Sequence, residues 1–92
     1  MSSVWQIEFS DTARKQMAKL DRSVAAEILR YLRERIATSQ DPRRFGEPLC
    51  KDLAGFWRYR VGAYRLICDI QDNKMVVLVL RLGHRSKVYG GH

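Results

Sequence analysis

The stretch Trp57-Arg58-Tyr59-Arg60-Val61-Gly62-Ala63-Tyr64-Arg65-Leu66-Ile67-Cys68-Asp69-Ile70 decides the fold. Two runs of alternating side chains flank Gly62-Ala63. A two-residue hairpin turn asks for glycine at its first central position, where φ is positive, and Gly62 occupies that position. The turn then sets the register, with Val61 opposite Tyr64, Arg60 opposite Arg65, Tyr59 opposite Leu66 and Arg58 opposite Ile67. Residues directly opposite share a face, and successive residues alternate faces. Trp57, Tyr59, Val61, Tyr64, Leu66, Cys68 and Ile70 therefore form one core face. Arg58, Arg60 and Arg65 share the other. Like charges directly opposite on a sheet destabilise it by up to ~1 kcal/mol. Folding does not ask for this cluster, whereas binding a phosphate backbone does.

Working outward, Asp72-Asn73 suits a second tight turn, into a strand over 74–82. Met75-Val76-Val77-Leu78-Val79-Leu80 is apolar on both faces, as expected of a strand at a sheet centre. Continued alternation places Val76, Leu78, Leu80 and Leu82 on the arginine face. A basic face with an apolar strip suits an acidic amphipathic partner segment. Upstream, Val4 to Phe9 alternates, so 3–9 reads as a strand. Ser10 or Asp11 then offers a helix N-cap, and Ala13, Met17 and Leu20 form the buried stripe of a short helix. Ser23 caps a second helix over 23–39, whose wide apolar face includes Ile28, Leu32 and Ile36. Pro42 ends that segment. Residues 40–55, with Pro42, Gly46, Pro48 and Gly55, read as loop. The expected fold is α+β: a strand, a helical hairpin and an antiparallel three-strand meander. One mainly antiparallel sheet carries the helices on one face, in a single domain over 1–92.

The chain has 92 residues, 17 Lys+Arg against 10 Asp+Glu, and a net charge of +7. Its 46% apolar and 29% charged content is that of a globular protein. Residues 41–92 hold ten basic and five acidic side chains, a net of +5. That excess favours a polyanionic partner. The chain is too short for a dinucleotide-binding α/β unit, and the run Met75–Leu80 is too short to span a membrane. The N-terminus shows no signal-peptide pattern, so a cytoplasmic protein with no membrane role is expected. Cys50 and Cys68 do not make a disulfide scaffold, and Cys68 reads as core. With two histidines and no paired-cysteine motif, no metal site is expected. No Gly-rich phosphate loop and no nucleophile elbow is present.

After the central strand comes Gly83-His84-Arg85-Ser86-Lys87-Val88-Tyr89. It offers an imidazole, two cations and an aromatic ring. Cations beside a tyrosine suit single-stranded RNA, which is commonly held by base stacking.

Leu53-x-Gly55, Trp57-Arg58-Tyr59-Arg60-Val61, Gly62-x-Tyr64-Arg65-Leu66-Ile67, Leu82-Gly83-His84-Arg85 and Val88-Tyr89 together resemble the RelE/ParE superfamily of bacterial toxins. The RelE branch is the nearer one. Glu8-Phe9-Ser10 to Leu20 resembles that family's first strand and helix. The resemblance implies a RelE-like fold and a ribosome-dependent endoribonuclease that cleaves messenger RNA in the ribosomal A site. The RNA's own 2′-hydroxyl attacks the adjacent phosphate and leaves a cyclic phosphate, with no metal or cofactor. The implied partners are the ribosome and mRNA, and a RelB-like antitoxin that wraps the toxin. DNA is met only indirectly, through the antitoxin.

By position, the resemblance makes Arg58, Arg60, Arg65, Arg85 and Tyr89 the catalytic set. Arg58 and Arg60 stand where the family usually has lysine. His84, Lys87 and Arg81 are the further RNA-binding residues. The charge chemistry fits, because fixed guanidinium groups stabilise the charge a phosphate gains under attack. Arginine stays protonated, so the general base is left open. Two alternatives remain: a ParE-like inhibitor of DNA gyrase, and an inactive module that only binds its antitoxin.

Overall fold

The protein is described by a computed structural model over residues 3–88. A five-stranded sheet has the order β1-β5-β4-β3-β2. Its strands are β1 (Gln6–Phe9), β2 (Glu47–Pro48), β3 (Trp57–Val61), β4 (Tyr64–Gln71) and β5 (Val76–His84). Helices α1 (Asp11–Ala18) and α2 (Arg22–Tyr31) follow β1. Strand β1 runs parallel to β5, and the remaining pairs are antiparallel.

The β3–β4 register is the one that the Gly62-Ala63 turn demands, from Val61↔Tyr64 to Trp57↔Cys68. Gly62 adopts φ +59°, the left-handed conformation that favours glycine. The helices cover the predicted core face. Ala13, Ile28, Leu32 and Ile36 pack with Tyr59, Val61, Leu66, Cys68 and Ile70 in one buried cluster. Burial pushes the Cys68 thiol pKa well above its ordinary value, with the Asp69 charge adding to it, so this sulfur is an unreactive core group.

Four features depart from the sequence reading. The second helix is capped by Asp21, without a side-chain cap bond, so Ser23 lies inside its first turn. It gives way to a π-helical turn at Leu32–Ile36 and does not run to 39. Within the expected loop 40–55, Glu47–Pro48 pairs with β3 as a short edge strand. The β4–β5 connection is a 3₁₀ turn at Asp72–Lys74, followed by Met75 in the left-handed region at φ 53°.

The fourth departure matters most for the site. Cys68 pairs with Val79, but Ile67 pairs with Arg81, so β5 carries an extra residue between them. A bulge of this kind reverses the alternation beyond it. Leu82 therefore does not share the arginine face: it pairs with Leu66 and is 1% exposed in the helix-side core. Arg81 takes the arginine face in its place, opposite Ile67.

Past Val79, no strand among the described residues lies beside β5 on the β1 side, and α1 closes that edge. Ser10 Oγ, at the N-cap of α1, accepts from the Ala13 N–H at 3.0 Å and donates to the Leu80 carbonyl at 2.6 Å. Gln16 Oε1 accepts from the Leu82 N–H at 2.7 Å. Backbone groups that would invite another strand are thus satisfied by side chains.

Candidate nucleic-acid interface

The hairpin end of the sheet gathers three of the predicted site residues. Arg60 lies directly across from Arg65 on the face away from the helices. Arg60 is exposed, while Arg65 is only 9% exposed. The Arg65 Nη1 donates to the carbonyls of Gly62 at 3.0 Å and Tyr64 at 2.9 Å. These bonds hold the guanidinium against the turn, and no carboxylate among the described residues forms an ion pair with it. The chain leaving β5 returns to the same place, where the Arg85 N–H donates to the Ala63 carbonyl at 2.8 Å. The Arg85 side chain is exposed beside that turn.

Arg58 differs from its neighbours. Glu47 sits opposite it on β2, and the two form an ion pair at 2.7 Å. The hydrogen bond from Arg58, and then its charge, hold the Glu47 carboxyl below the usual carboxylate range. Arg60 and Arg65 add to the effect from the same face. The pattern of the β3 strand did not reveal Glu47. It arrives from a loop whose pairing carries no local turn signature.

Three further site residues lie along a groove of about 590 Å³ between α1 and the end of β5. Arg81, His84 and Lys87 line it, together with Lys19, Gln16 and Tyr64. The bulge sets His84 opposite Tyr64, and their rings meet edge to face at 5.8 Å. His84 Nδ1 accepts from the Ser86 N–H at 3.2 Å and lies 2.8 Å from Ser86 Oγ. A ring nitrogen that accepts from a backbone N–H carries no proton, so the neutral ring holds its hydrogen on Nε2. The Lys87 and Val88 N–H groups both donate to the His84 carbonyl, closing a turn over the strand end. Val88 folds back against Gly83, where an added Cβ would meet it at 3.7 Å. Arg81 donates from Nη2 to the Val88 carbonyl at 2.7 Å, while its buried Nε has no partner among the described residues.

The structure thus brings Arg60, Arg65 and Arg85 together at one turn, and Arg81, His84 and Lys87 along the neighbouring groove. Arg58 shares the face of Arg60 but is engaged by Glu47. Tyr89 lies outside the described residues. No cluster of three metal-ligating side chains occurs among the described residues. No helix described is long and apolar enough to cross a membrane.

A small basic α+β chain with an arginine-bearing sheet face matches one family. Residues 7–89 match the family described as the ParE toxin of type II toxin–antitoxin systems, and the chain belongs to that family. Within the RelE/ParE superfamily it falls in the RelE-type branch. It is 34% identical to toxin RelG of Mycobacterium tuberculosis, over 92% of this chain and 95% of that one. It is 27% identical to toxin RelE of the same organism, over 92% and 86%. Among solved structures, the toxin–antitoxin complex RelBE2 from Mycobacterium tuberculosis aligns with a TM-score of 0.81 at 33% identity, covering 89% of this chain and 99% of that one. A mutant of the E. coli toxin RelE in the free state shares the fold, with a TM-score of 0.70 at 23% identity, covering 94% and 90%.

Proposed function

We propose that this type II toxin is an endoribonuclease that cleaves messenger RNA in the ribosomal A site. One observation carries the reading: Arg60 and Arg65 face each other beside Arg85, with no carboxylate paired to any of the three among the described residues. Such a cluster suits a phosphate whose negative charge grows during reaction. The 2′-oxygen attacks phosphorus, and the bond from phosphorus to the 5′-oxygen breaks. The products are a 2′,3′-cyclic phosphate and a 5′-hydroxyl. The 2′-proton passes to a base, and the 5′-oxygen takes a proton from a donor.

Arg65, fixed by the turn carbonyls, and Arg60 bind the scissile phosphate. Arg85 stabilises the leaving oxygen. Tyr89, four residues on, stacks on a base. The bond from Ser86 leaves Nε2–H as the outward donor of His84, which makes His84 a phosphate-binding group. Lys87 and Arg81 extend the RNA contact along the groove. Arg58, paired with Glu47, contributes less than Arg60.

Purified protein added to programmed ribosomes, followed by mapping of message ends, tests this reading. New ends at A-site codons are expected. The match to a family described by its ParE member favours one second reading, inhibition of DNA gyrase. Loss of supercoiling without message cleavage would select it.

The regulator is a RelB-like antitoxin, as in the solved complexes that share this fold. It binds on or beside the arginine face, with carboxylates against the guanidinium groups. Electrostatic recruitment predicts an association rate that falls with salt, while dissociation changes little. Stopped-flow mixing at low and high ionic strength measures both. An association rate indifferent to salt would place the antitoxin elsewhere.

A further inference from the structure

A second aromatic–basic cluster lies away from the cleavage site. Phe45 ends the 3₁₀ turn Pro42–Phe45 and is 36% exposed. The Arg44 guanidinium lies 4.6 Å from its ring centroid, and that of Arg35, from the π-helical turn, lies 5.4 Å away. Both distances are within cation–π range. Neither arginine has a carboxylate partner among the described residues, whereas their neighbour Arg43 is paired with Asp41 and Asp72.

The cluster is held rigidly. The Tyr59 hydroxyl donates to the Pro42 carbonyl at 2.7 Å, fixing the start of the turn. Gly46 fixes its end. A Cβ there would stand 3.2 Å from the Tyr59 ring and 3.3 Å from the Trp57 ring, so the backbone lies directly on them. Trp57 and Tyr59 belong to the helix-side face, so this cluster and the Arg60–Arg65 pair lie on opposite sides of the sheet.

We propose that Arg35, Phe45 and Arg44 form a second RNA-contact site, which holds an unpaired nucleotide by stacking and its flanking phosphates by charge. The ring and guanidinium planes give a stacking surface that any base can use. The N–H edges of the two arginines remain for phosphate oxygens. Two guanidinium groups without an ion-pair partner among the described residues favour a polyanion here over an uncharged protein surface. The proposal rests on the ribonuclease reading only for the identity of the polyanion. It adds a contact that anchors RNA without touching the scissile bond.

The test uses the full chain and a labelled 2′-O-methyl RNA 12-mer, which lacks the attacking hydroxyl, with binding followed by anisotropy at several salt concentrations. Phe45→Ala is expected to weaken binding at least ~5-fold, the low end for loss of one stacked base. Phe45→Trp, with its larger stacking face, is expected to tighten binding, which a purely structural role would not produce. Arg35→Gln/Arg44→Gln, two surface changes that leave the ring in place, should lower the slope of log K against log salt by about 1.4. Affinity within twofold of wild type, with an unchanged slope, in the double variant would overturn the proposal. So would a loss of affinity for a purified antitoxin while RNA binding stays intact, because the cluster would then be a protein contact.

Cleavage of programmed ribosomes is measured alongside. No cleavage by the wild-type chain, with the RNA-binding losses as expected, would remove the nuclease reading and leave this site standing. Normal cleavage with unchanged RNA binding would remove this site alone.

Discussion

Arg43 and Arg65 anchor opposite ends of the same sheet, and they are treated differently. At the far end, Arg43 donates to Asp72 in the β4–β5 turn and to Asp41 on its own loop, with its guanidinium 5.8 Å from the Trp57 ring. Its charge is fully answered by carboxylates. At the hairpin end, Arg65 is the more buried of the two, yet among the described residues its guanidinium is held by two backbone carbonyls and it faces another arginine. A fold that needed only to tie its turns together would use the first arrangement at both ends. An arginine near-buried among neutral dipoles keeps its field for a ligand, since buried charge is ordinarily paired. The two ends thus separate an arginine that serves the fold from one positioned for an anion.

The arginine end also carries the bulge, which alone puts Arg81 on the arginine face and Leu82 in the core. Leu82→Ala is therefore expected to cost about 2–5 kcal/mol of stability, the usual range for truncating a buried leucine. Leu78 pairs with Asp69 on the other face and is half-buried, so Leu78→Ala should cost clearly less. Urea unfolding of the two variants measures the difference. A larger loss at Leu78 than at Leu82 would mean that the alternation runs unbroken and that Arg81 does not face the arginines.

The second way to break the comparison is functional. Arg65→Ala and Arg85→Ala are each expected to lower message cleavage at least ~100-fold, the order found on removing a group that stabilises transition-state charge. Arg43→Ala should leave cleavage within about threefold of wild type. Melting temperatures must accompany the rates, because Arg65 also ties down the turn. A folded Arg65→Ala protein that cleaves normally would make the two ends equivalent.

Glu47→Gln sharpens the comparison along β3. It removes a carboxylate from the arginine face while keeping shape and hydrogen bonding. RNA affinity is expected to rise a few-fold, and the salt slope to steepen by about 0.7, the increment for one further phosphate contact to a single strand. Anisotropy with the 2′-O-methyl strand reads both. An unchanged slope would show that the Glu47 charge does not limit phosphate binding at Arg58.

What the sequence revealed and what it hid follow from how local each determinant is. Gly62-Ala63 and the alternation on either side fixed the hairpin register, and with it the meeting of Arg60 and Arg65. The bulge was invisible because it follows Val76-Val77-Leu78-Val79-Leu80, where every residue is apolar and alternation carries no information. Leu82 was misplaced for that reason alone. Strand β2 is two residues long and contains Pro48, so nothing marked Glu47 as the partner of Arg58. Asp21 and Ser23 are both capping residue types two positions apart, and spacing alone does not choose between them. The groove beside α1 depends on a strand edge and a helix from opposite ends of the chain, a distance that no short pattern spans.

The smallest expected effect lies at the far end and is a matter of pH. The hydrogen bond from Arg43, followed by its charge, holds the Asp72 carboxyl below the usual carboxylate range, and Asp72 is well exposed. A carboxyl whose pKa is lower in the folded than in the unfolded chain binds protons more tightly when unfolded. Its contribution is therefore full above the unfolded value, about 3.9 for aspartate, and is lost as the pH falls through the folded value. Wild-type protein and Arg43→Ala should accordingly differ slightly in melting temperature at pH 7, and the gap should close as the pH drops below about 4. Solvent and salt screen the pair, so 1 M salt should narrow the gap as well. Arg65 forms no ion pair among the described residues, and Glu47, bonded to Arg58, feels its charge only as a minor effect, so the Arg65→Ala difference should close far less over the same range. Thermal melts of both variants from pH 7 to pH 3 supply the measurement. Parallel closing of the two gaps would show that a carboxylate answers Arg65 after all, and the distinction between the two ends would fail.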